Sequence, residues 1–441
     1  MRIVILGAGY VGLVSAACFA AFGVQVMVID PDAARIAALQ AGKIPIYEPE
    51  LDALVAQNVA AGRLHFHTAL DGLTDVAAVF IAVGTPSRRG DGHADLAYVY
   101  AAAEQIARAL PEGQFTVIVT KSTVPVGTGR EVMRRMRAVN PSADFAVCSN
   151  PEFLREGSAI NDFMRPDRVV IGADDGRALR VLRALYRPLY LLETPMVETS
   201  LETAELTKYA SNAFLATKIA FINEMANLCE ATGADVRVVA QAMGLDGRIG
   251  RKFLHAGPGF GGSCFPKDTL ALARTASEYA VPPPIVERVL ASNRQRKQSM
   301  AGRIIAACGG DVAGQTIAIL GVTFKPNTDD IRESPALDIV PVLQAAGARI
   351  QAYDPVGQQA AQAQLPGVTW ADNPYAAAHG AAALVILTEW NEFRALDLAR
   401  MKTALAVPCL IDLRNIYKPD EASAHGLTYH GIGKGHIPAQ I

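Results

Sequence analysis

Between Ile3 and Ile29 the chain carries no charged residue, and Gly7, Gly9, Gly12 and Gly23 interrupt that run. An unbroken apolar stretch of this length would suit a membrane span or a leader. The glycines instead cut it into a Val/Ile-rich run at 2–6, an apolar helical run at 11–22 and a second β-type run at 24–29. The expected unit is strand, helix, strand. Gly7-Ala8-Gly9-Tyr10-Val11-Gly12 sits at the first junction, and Asp30 closes the second strand. In that order, Gly7 and Gly9 permit a tight turn and close approach of a pyrophosphate, and Gly7, Gly9, Tyr10, Val11 and Gly12 are the candidate cofactor contacts. Asp30 accepts the ribose hydroxyls and repels a 2′-phosphate, so NAD is favoured over NADP, with Arg35 near the adenosine end.

Two further strands, at 78–83 and 116–119, run into Gly84-Thr85-Pro86 and Lys121-Ser122-Thr123-Val124-Pro125. Open parallel sheets bind ligands at the carboxyl ends of their strands, which places Thr85, Ser122 and Thr123 at the cofactor. Each turn taken alone is equally an ordinary strand ending. A strand at 145–148 precedes Asn150-Pro151-Glu152-Phe153-Leu154-Arg155-Glu156-Gly157, whose acids Glu152 and Glu156 read as carboxylates at a site mouth or as a solvated turn. From 202 to 232 the pattern is helical without proline or glycine, ending at Gly233. Lys208 and Asn212 share one face there, among neighbours apolar enough to bury a lysine.

The stretch Gly257-Pro258-Gly259-Phe260-Gly261-Gly262-Ser263-Cys264-Phe265-Pro266-Lys267-Asp268 holds the chain's most reactive pattern. Its glycines are expected to let backbone pass close to a ligand, presenting the Cys264 thiol beside Lys267 and Asp268. A thiolate is the nucleophile, and Lys267 or a second lysine would favour it. Helices at 269–279 and 284–308 complete a helical middle that offers a dimer surface. The last third repeats strand, helix, strand from 316–320 and ends a strand at Asp354 as the first third does at Asp30, without the glycine fingerprint. It reads as a second nucleotide-type sheet rather than a second dinucleotide site. Lys325, Arg332 and Arg414 are its candidate phosphate and uridine contacts.

The expected fold is therefore α/β: two Rossmann-like, doubly wound parallel-sheet domains, at 1–200 and 309–441, joined by a long-helix central region at 201–308. Lys plus Arg (41) nearly balance Asp plus Glu (43), so no basic stripe argues for nucleic acid. The six cysteines are scattered without Cys-x-x-Cys or zinc-type spacing, which argues against disulfides and metal and for a reducing, cytoplasmic setting.

Six ordered motifs together resemble the UDP-glucose/GDP-mannose dehydrogenase family over essentially the whole chain. They are the glycine turn at 7–12, Val83-Gly84-Thr85-Pro86, the turn at 121–125, the segment 150–157, the loop 259–268, and Phe324-Lys325-Pro326-Asn327-Thr328-Asp329-Asp330-Ile331-Arg332-Glu333-Ser334. The resemblance implies four-electron oxidation of a UDP-sugar, UDP-glucose above all, from primary alcohol to carboxylate with two NAD. It implies that Cys264 is the nucleophile, that Lys208 and Asn212 stabilise an oxyanion, and that Asp268 and Thr123 hold a water. Glu152 then serves as base for thioester hydrolysis. Glu152, Phe153, Leu154, Lys208, Asn212, Arg248, Phe253, Leu254, His255, Ala256, Gly257, Gly261, Phe324, Lys325 and Arg414 fall at sugar-nucleotide positions. Val11, Asp30, Arg35, Thr85, Thr123, Glu156, Lys267 and Arg332 fall at NAD positions. A homodimer is implied, since family members supply the residue at the Arg248 position from a neighbouring subunit. Leu413 stands where many members have glycine, which bears on Arg414. GDP-mannose and UDP-N-acetylhexosamine enzymes are the nearest alternatives. A two-electron hydroxyacid-type dehydrogenase and an NAD-sensing binding protein are the readings from other classes.

Overall fold

A computed structural model describes residues 1–88 and 92–434. The chain divides into two compact units, 1–211 with 271–281, and 212–270 with 282–441. The first holds an eight-stranded sheet built from β1 (Arg2–Leu6), β2 (Gln25–Ile29), β3 (Leu64–His67), β4 (Ala78–Ile81), β5 (Thr116–Thr120), β6 (Phe145–Ser149), β7 (Val169–Ala173) and β8 (Met196–Thr199), in the order β3-β2-β1-β4-β5-β6-β7-β8. Alternate residues feed opposite cores: Ile3, Ile5, Val26, Val28 and Phe80 enter one cluster, Val4, Leu6, Val79 and Ile81 the other. Both faces are thus covered by helices, which is why these strands read as continuous apolar runs. The two edge strands differ: β3 alternates, with His65 and His67 exposed, and β8 has no buried residue.

One pairing departs from the parallel sheet expected. β7 runs antiparallel to β6 through Cys148↔Ala173 and Ser149↔Gly172. An antiparallel partner needs no crossover to the far end of the sheet. The segment 150–168 therefore leaves and re-enters at the carboxyl edge, where open sheets hold their ligands.

The second unit contains β9 (Thr316–Leu320), β10 (Arg349–Tyr353), β11 (Val368–Trp370), β12 (Ala383–Ile386), β13 (Cys409–Asp412) and β14 (Thr428–His430). They form an all-parallel sheet in the order β11-β10-β9-β12-β13-β14. The same alternation operates, with Ile317 and Ile319 in one core and Ala318 and Leu320 in the other. The helix Leu201–Thr232 matches the uninterrupted pattern that precedes Gly233, and the boundary between the units falls within it. The helix Phe265–Glu278 starts four residues earlier than its sequence pattern indicates. Proline is tolerated in a helix's first turn, so Pro266 belongs to the start of the helix rather than to the loop before it.

Candidate active site

In the first unit, the glycine turn behaves in two ways. A Cβ on Gly12 would lie 1.9 Å from the Gly7 carbonyl oxygen, and one on Gly7, at φ +106°, 2.6 Å from that of Ala82. These two glycines are demanded by the protein's own close packing. A Cβ on Gly9 would meet nothing within 4 Å, so that face of the turn is open, at the N-terminus of the helix Tyr10–Ala21. Asp30 accepts the Ala8 N–H at 2.8 Å, the Asp32 N–H at 3.0 Å and Arg35 Nη1 at 3.1 Å. An open glycine turn, a helix start and a buried acid fit a dinucleotide.

The turns after β4 and β5 meet, as Thr85 Oγ1 donates to the Thr123 carbonyl at 3.0 Å. Ser122 braces these turns, since its hydroxyl faces the carbonyls of Val83 at 2.7 Å and Ile81 at 3.2 Å. Lys208 and Glu152 form a buried ion pair, Nζ to Oε1 at 3.0 Å, and Glu152 Oε2 accepts the Leu154 N–H at 2.5 Å. Phe153 lies under Lys208 Nζ at 5.5 Å and under the guanidinium of Arg168 at 3.5 Å. Arg168 was not among the expected residues; it enters because β7 returns beside the segment that β6 leaves. Glu48, also unforeseen, accepts the N–H groups of Gly157 and Ala159 at 2.5 and 2.7 Å and the Tyr10 hydroxyl, tying the glycine turn to the segment holding Glu156.

In the second unit, Cys264 immediately precedes the helix Phe265–Glu278, and its carbonyl accepts the Asp268 N–H at 2.8 Å. The thiol thus sits at a helix N-terminus, where the macrodipole favours negative charge. Asp268, 1 % exposed, accepts Asn212 Nδ2 at 2.6 Å on one oxygen and Lys267 Nζ at 2.5 Å on the other. Lys267 is therefore paired with a carboxylate, which reduces the field it was expected to exert on Cys264.

The glycine loop is itself closely packed by the chain. Its glycines make room for protein. A Cβ on Gly261 would lie 2.3 Å from the Glu333 carbonyl oxygen, one on Gly262 2.6 Å from the Phe324 ring, and one on Gly259 2.8 Å from Lys297. The loop is stapled by three residues absent from the expected set. Asn223 accepts the Gly257 N–H at 2.9 Å, Arg296 Nε donates to the Gly257 carbonyl at 3.0 Å, and Asn293 bonds both backbone groups of Phe260 at 2.8 and 3.0 Å. Burial lowers the Arg296 guanidinium to about 10. Asn293 and Arg296 stand in a largely polar run of their helix, so the sequence carries no signal that these residues are buried.

Leu254 and Ala256 are buried in the core of the second unit, so only their backbone is available to a ligand, while His255 is exposed and Phe253 half-buried against Phe265. Lys325 Nζ lies 5.3 Å from the Phe324 ring centre, and Arg332 pairs with Asp330 at 2.8 Å. Arg414 donates to the carbonyls of Leu387 at 2.7 Å and Phe324 at 3.0 Å and pairs with Glu389. Arg248 is exposed and paired with Asp246 at 2.6 Å. Asp354, at the position matching Asp30, accepts the N–H groups of Val322 and Gly357 at 2.7 Å, those of Thr323 and Val356 at 3.1 and 3.0 Å, and Trp390 Nε1 at 3.3 Å. A carboxylate so occupied is a poor ribose acceptor, in keeping with a sheet that lacks the fingerprint.

A doubly wound sheet with an open glycine turn, Asp30 and a buried lysine-carboxylate pair defines a dinucleotide-dependent dehydrogenase. Sequence patterns of the UDP-glucose/GDP-mannose dehydrogenase family match the chain three times: the NAD binding domain at residues 1–190, the central domain at 202–295 and the UDP binding domain at 318–419. The chain belongs to that family, and its cofactor is NAD. It is 61 % identical over 439 residues to the UDP-glucose 6-dehydrogenase of Rhizobium meliloti, covering 98 % of this chain and 100 % of that one. It is 47 % identical to UDP-glucose 6-dehydrogenase TuaD of Bacillus subtilis, covering 98 % and 93 %. Among solved structures, a UDP-glucose dehydrogenase from Pyrobaculum islandicum superposes with a TM-score of 0.90 at 38 % identity, covering 98 % of each chain. Among the described residues no helix is long and apolar enough to cross a membrane.

Proposed function

We propose that the chain oxidises UDP-glucose to UDP-glucuronate in two successive two-electron steps at C6, through a covalent intermediate on Cys264. The observation that carries the covalent part is the seat of Cys264 at the start of the helix Phe265–Glu278, a position that suits a thiolate. The relatives named UDP-glucose dehydrogenases support the choice of sugar nucleotide.

NAD supplies the hydride acceptor for both oxidations. In the first, the C6 hydroxyl loses its proton to a base drawn from Lys208 and a water held by Asp268 and Thr123, and the aldehyde stays bound. The Cys264 sulfur then adds to C6, forming a C–S bond and an oxyanion that Lys208 and Asn212 stabilise. Loss of the second hydride leaves a thioester. Glu152 takes a proton from water, the hydroxide adds to C6, and the C–S bond breaks to release the carboxylate and the thiolate. The glycine turn, Asp30, Arg35, Thr85, Glu156, Lys267 and Arg332 are assigned to NAD. Phe153, Leu154, Phe324, Lys325, Arg414 and the backbone of 253–261 are assigned to the sugar nucleotide. A homodimer is part of this reading, supported by Phe214, Phe221 and Leu228, which stand exposed at heptad spacing on one helix, and by exposed Arg248.

The test is stoichiometric: two NADH per UDP-glucose consumed, no released aldehyde, and no acid formed by Cys264→Ala. A ratio of one, or faster turnover of GDP-mannose or a UDP-N-acetylhexosamine, would overturn this assignment.

A further inference from the structure

The stretch between the helices Ala33–Gln40 and Leu51–Ala60 carries Ile44 and Ile46, which pack against the first core cluster, and leads into Leu51, which belongs to it. These residues draw Glu48 inside with them, and it is 6 % exposed. Its carboxylate is held by donors from two other parts of the first unit. Oε2 accepts the Tyr10 hydroxyl and the Gly157 N–H, the latter at 2.5 Å, and Oε1 accepts the Ala159 N–H at 2.7 Å. Burial, and then the bond to Glu48, raises the Tyr10 phenol, so the hydroxyl stays protonated and donates. All three donors are neutral groups. Hydrogen bonds to a buried carboxylate are among the stronger ones, and the loss of one is correspondingly felt.

Both segments joined in this way carry residues assigned above to NAD. Tyr10 opens the helix Tyr10–Ala21 directly after Gly9, on whose open face a Cβ would meet nothing within 4 Å. Gly157, in the left-handed region at φ +75°, directly follows Glu156. On the other side of Glu156, the backbone N–H and Nε of Arg155 both donate to Asp162 at 2.9 Å. Glu156 is thus fixed from both sides, by Asp162 on one and by Glu48 on the other. The sugar-nucleotide end of the same segment has its own anchor, the pairing of Glu152 with Lys208 at 3.0 Å.

We propose that Glu48 is a positioning residue for NAD, acting through Tyr10 on the glycine turn and through Gly157 on Glu156, a role that rests on the assignment of that turn and of Glu156 to NAD. One buried carboxylate sets the spacing of the two segments before the dinucleotide arrives. A ligand binds a turn that is already in place at a lower ordering cost than one it must arrange itself. Loosening the clamp therefore weakens NAD, while UDP-glucose, whose end of the segment is held by Lys208, is spared.

The experiment measures the dissociation constants of NAD and of UDP-glucose, each alone, by isothermal titration calorimetry on the full-length wild type, Glu48→Gln, Tyr10→Phe, the double variant and Gly9→Ala. Tyr10→Phe should weaken NAD about fivefold and Glu48→Gln about tenfold, with UDP-glucose within about twofold of wild type in each. In the double variant the loss should fall short of the product of the two single losses, because both substitutions remove the same bond. Tyr10→Phe deletes one oxygen and keeps the ring, so it answers the question if Glu48→Gln fails to fold. A side chain that only braces the fold would lower the urea midpoint while leaving NAD affinity as it was, or would weaken both ligands alike. Either result overturns the proposal, as does a double variant that loses the full product. Gly9→Ala, which the packing of the turn tolerates, should weaken NAD by at least about tenfold. If it does not, the assignment of NAD to the turn fails and the role of Glu48 with it.

Discussion

The Nζ of Lys208 lies 3.0 Å from Oε1 of Glu152, and their side chains are 4 % and 6 % exposed. Each charge is thus withdrawn from water and compensated by the other. Removing Lys208 takes from the buried Glu152 carboxylate the cation that compensates it, at a cost of about 3–5 kcal/mol. Lys208→Ala should therefore shift the urea midpoint strongly downward, whereas Lys208→Met with Glu152→Leu should recover most of the loss. Equal losses in the single and double variants would show that packing around the pair, and not its charge balance, supports the fold.

Asp30 accepts the Ala8 and Asp32 N–H groups and pairs with Arg35. In the function proposed above, the same carboxylate is assigned to the ribose, where it would repel a 2′-phosphate. NAD should be used far ahead of NADP, and Asp30→Ser should narrow the ratio of kcat/KM values by about tenfold, an amount equal to roughly 1.4 kcal/mol of discrimination. An unchanged ratio would place the carboxylate away from the ribose.

Asn293 bonds both the N–H and the carbonyl of Phe260, inside the loop that leads to Cys264. Asn293→Ala leaves two buried backbone groups unpaired, at about 1–3 kcal/mol each. Turnover should fall with stability, because the thiol is carried on the loop that has been loosened. Wild-type kcat in a destabilised Asn293→Ala would separate the loop's packing from the chemistry.

Burial lowers the Lys121 ammonium from 10.5 to about 8. Between those values the unfolded chain holds a proton that the folded chain has released, so stability from this group rises with pH across the window and is lowest below it. At pH 7 the group costs about 3 kcal/mol. Lys121→Met removes this cost, and Asn150 Oδ1 keeps the Tyr186 hydroxyl as donor. The variant should have the higher urea midpoint at pH 7, with the difference shrinking from about pH 8 toward pH 10.5. A lower midpoint at pH 7 would mean that the hydrogen bonds of the ammonium outweigh its desolvation.

The β-α-β opening, the helix Leu201–Thr232 and the repeat of the sheet plan in the last third were readable from the chain alone. They depend on local periodicity and on glycine at turns, which neighbouring residues encode. The segments that carry Glu152, Lys208, Asn212, Cys264 and Asp268 were recognisable too. Their pairings were not. Asn212 and Asp268 are 56 residues apart, and which lysine meets which acid follows from how helices and strands pack. The same limit explains the loop at 257–262: four glycines signal close approach, but only the packed chain reveals that Glu333, Phe324 and Lys297 are what approaches. Lys121, Glu48, Asn223, Asn293 and Arg296 escaped notice for the related reason that burial is a sum over distant contacts. A polar residue in sequence looks alike on a solvated face and in a core, and tertiary structure alone decides which it is.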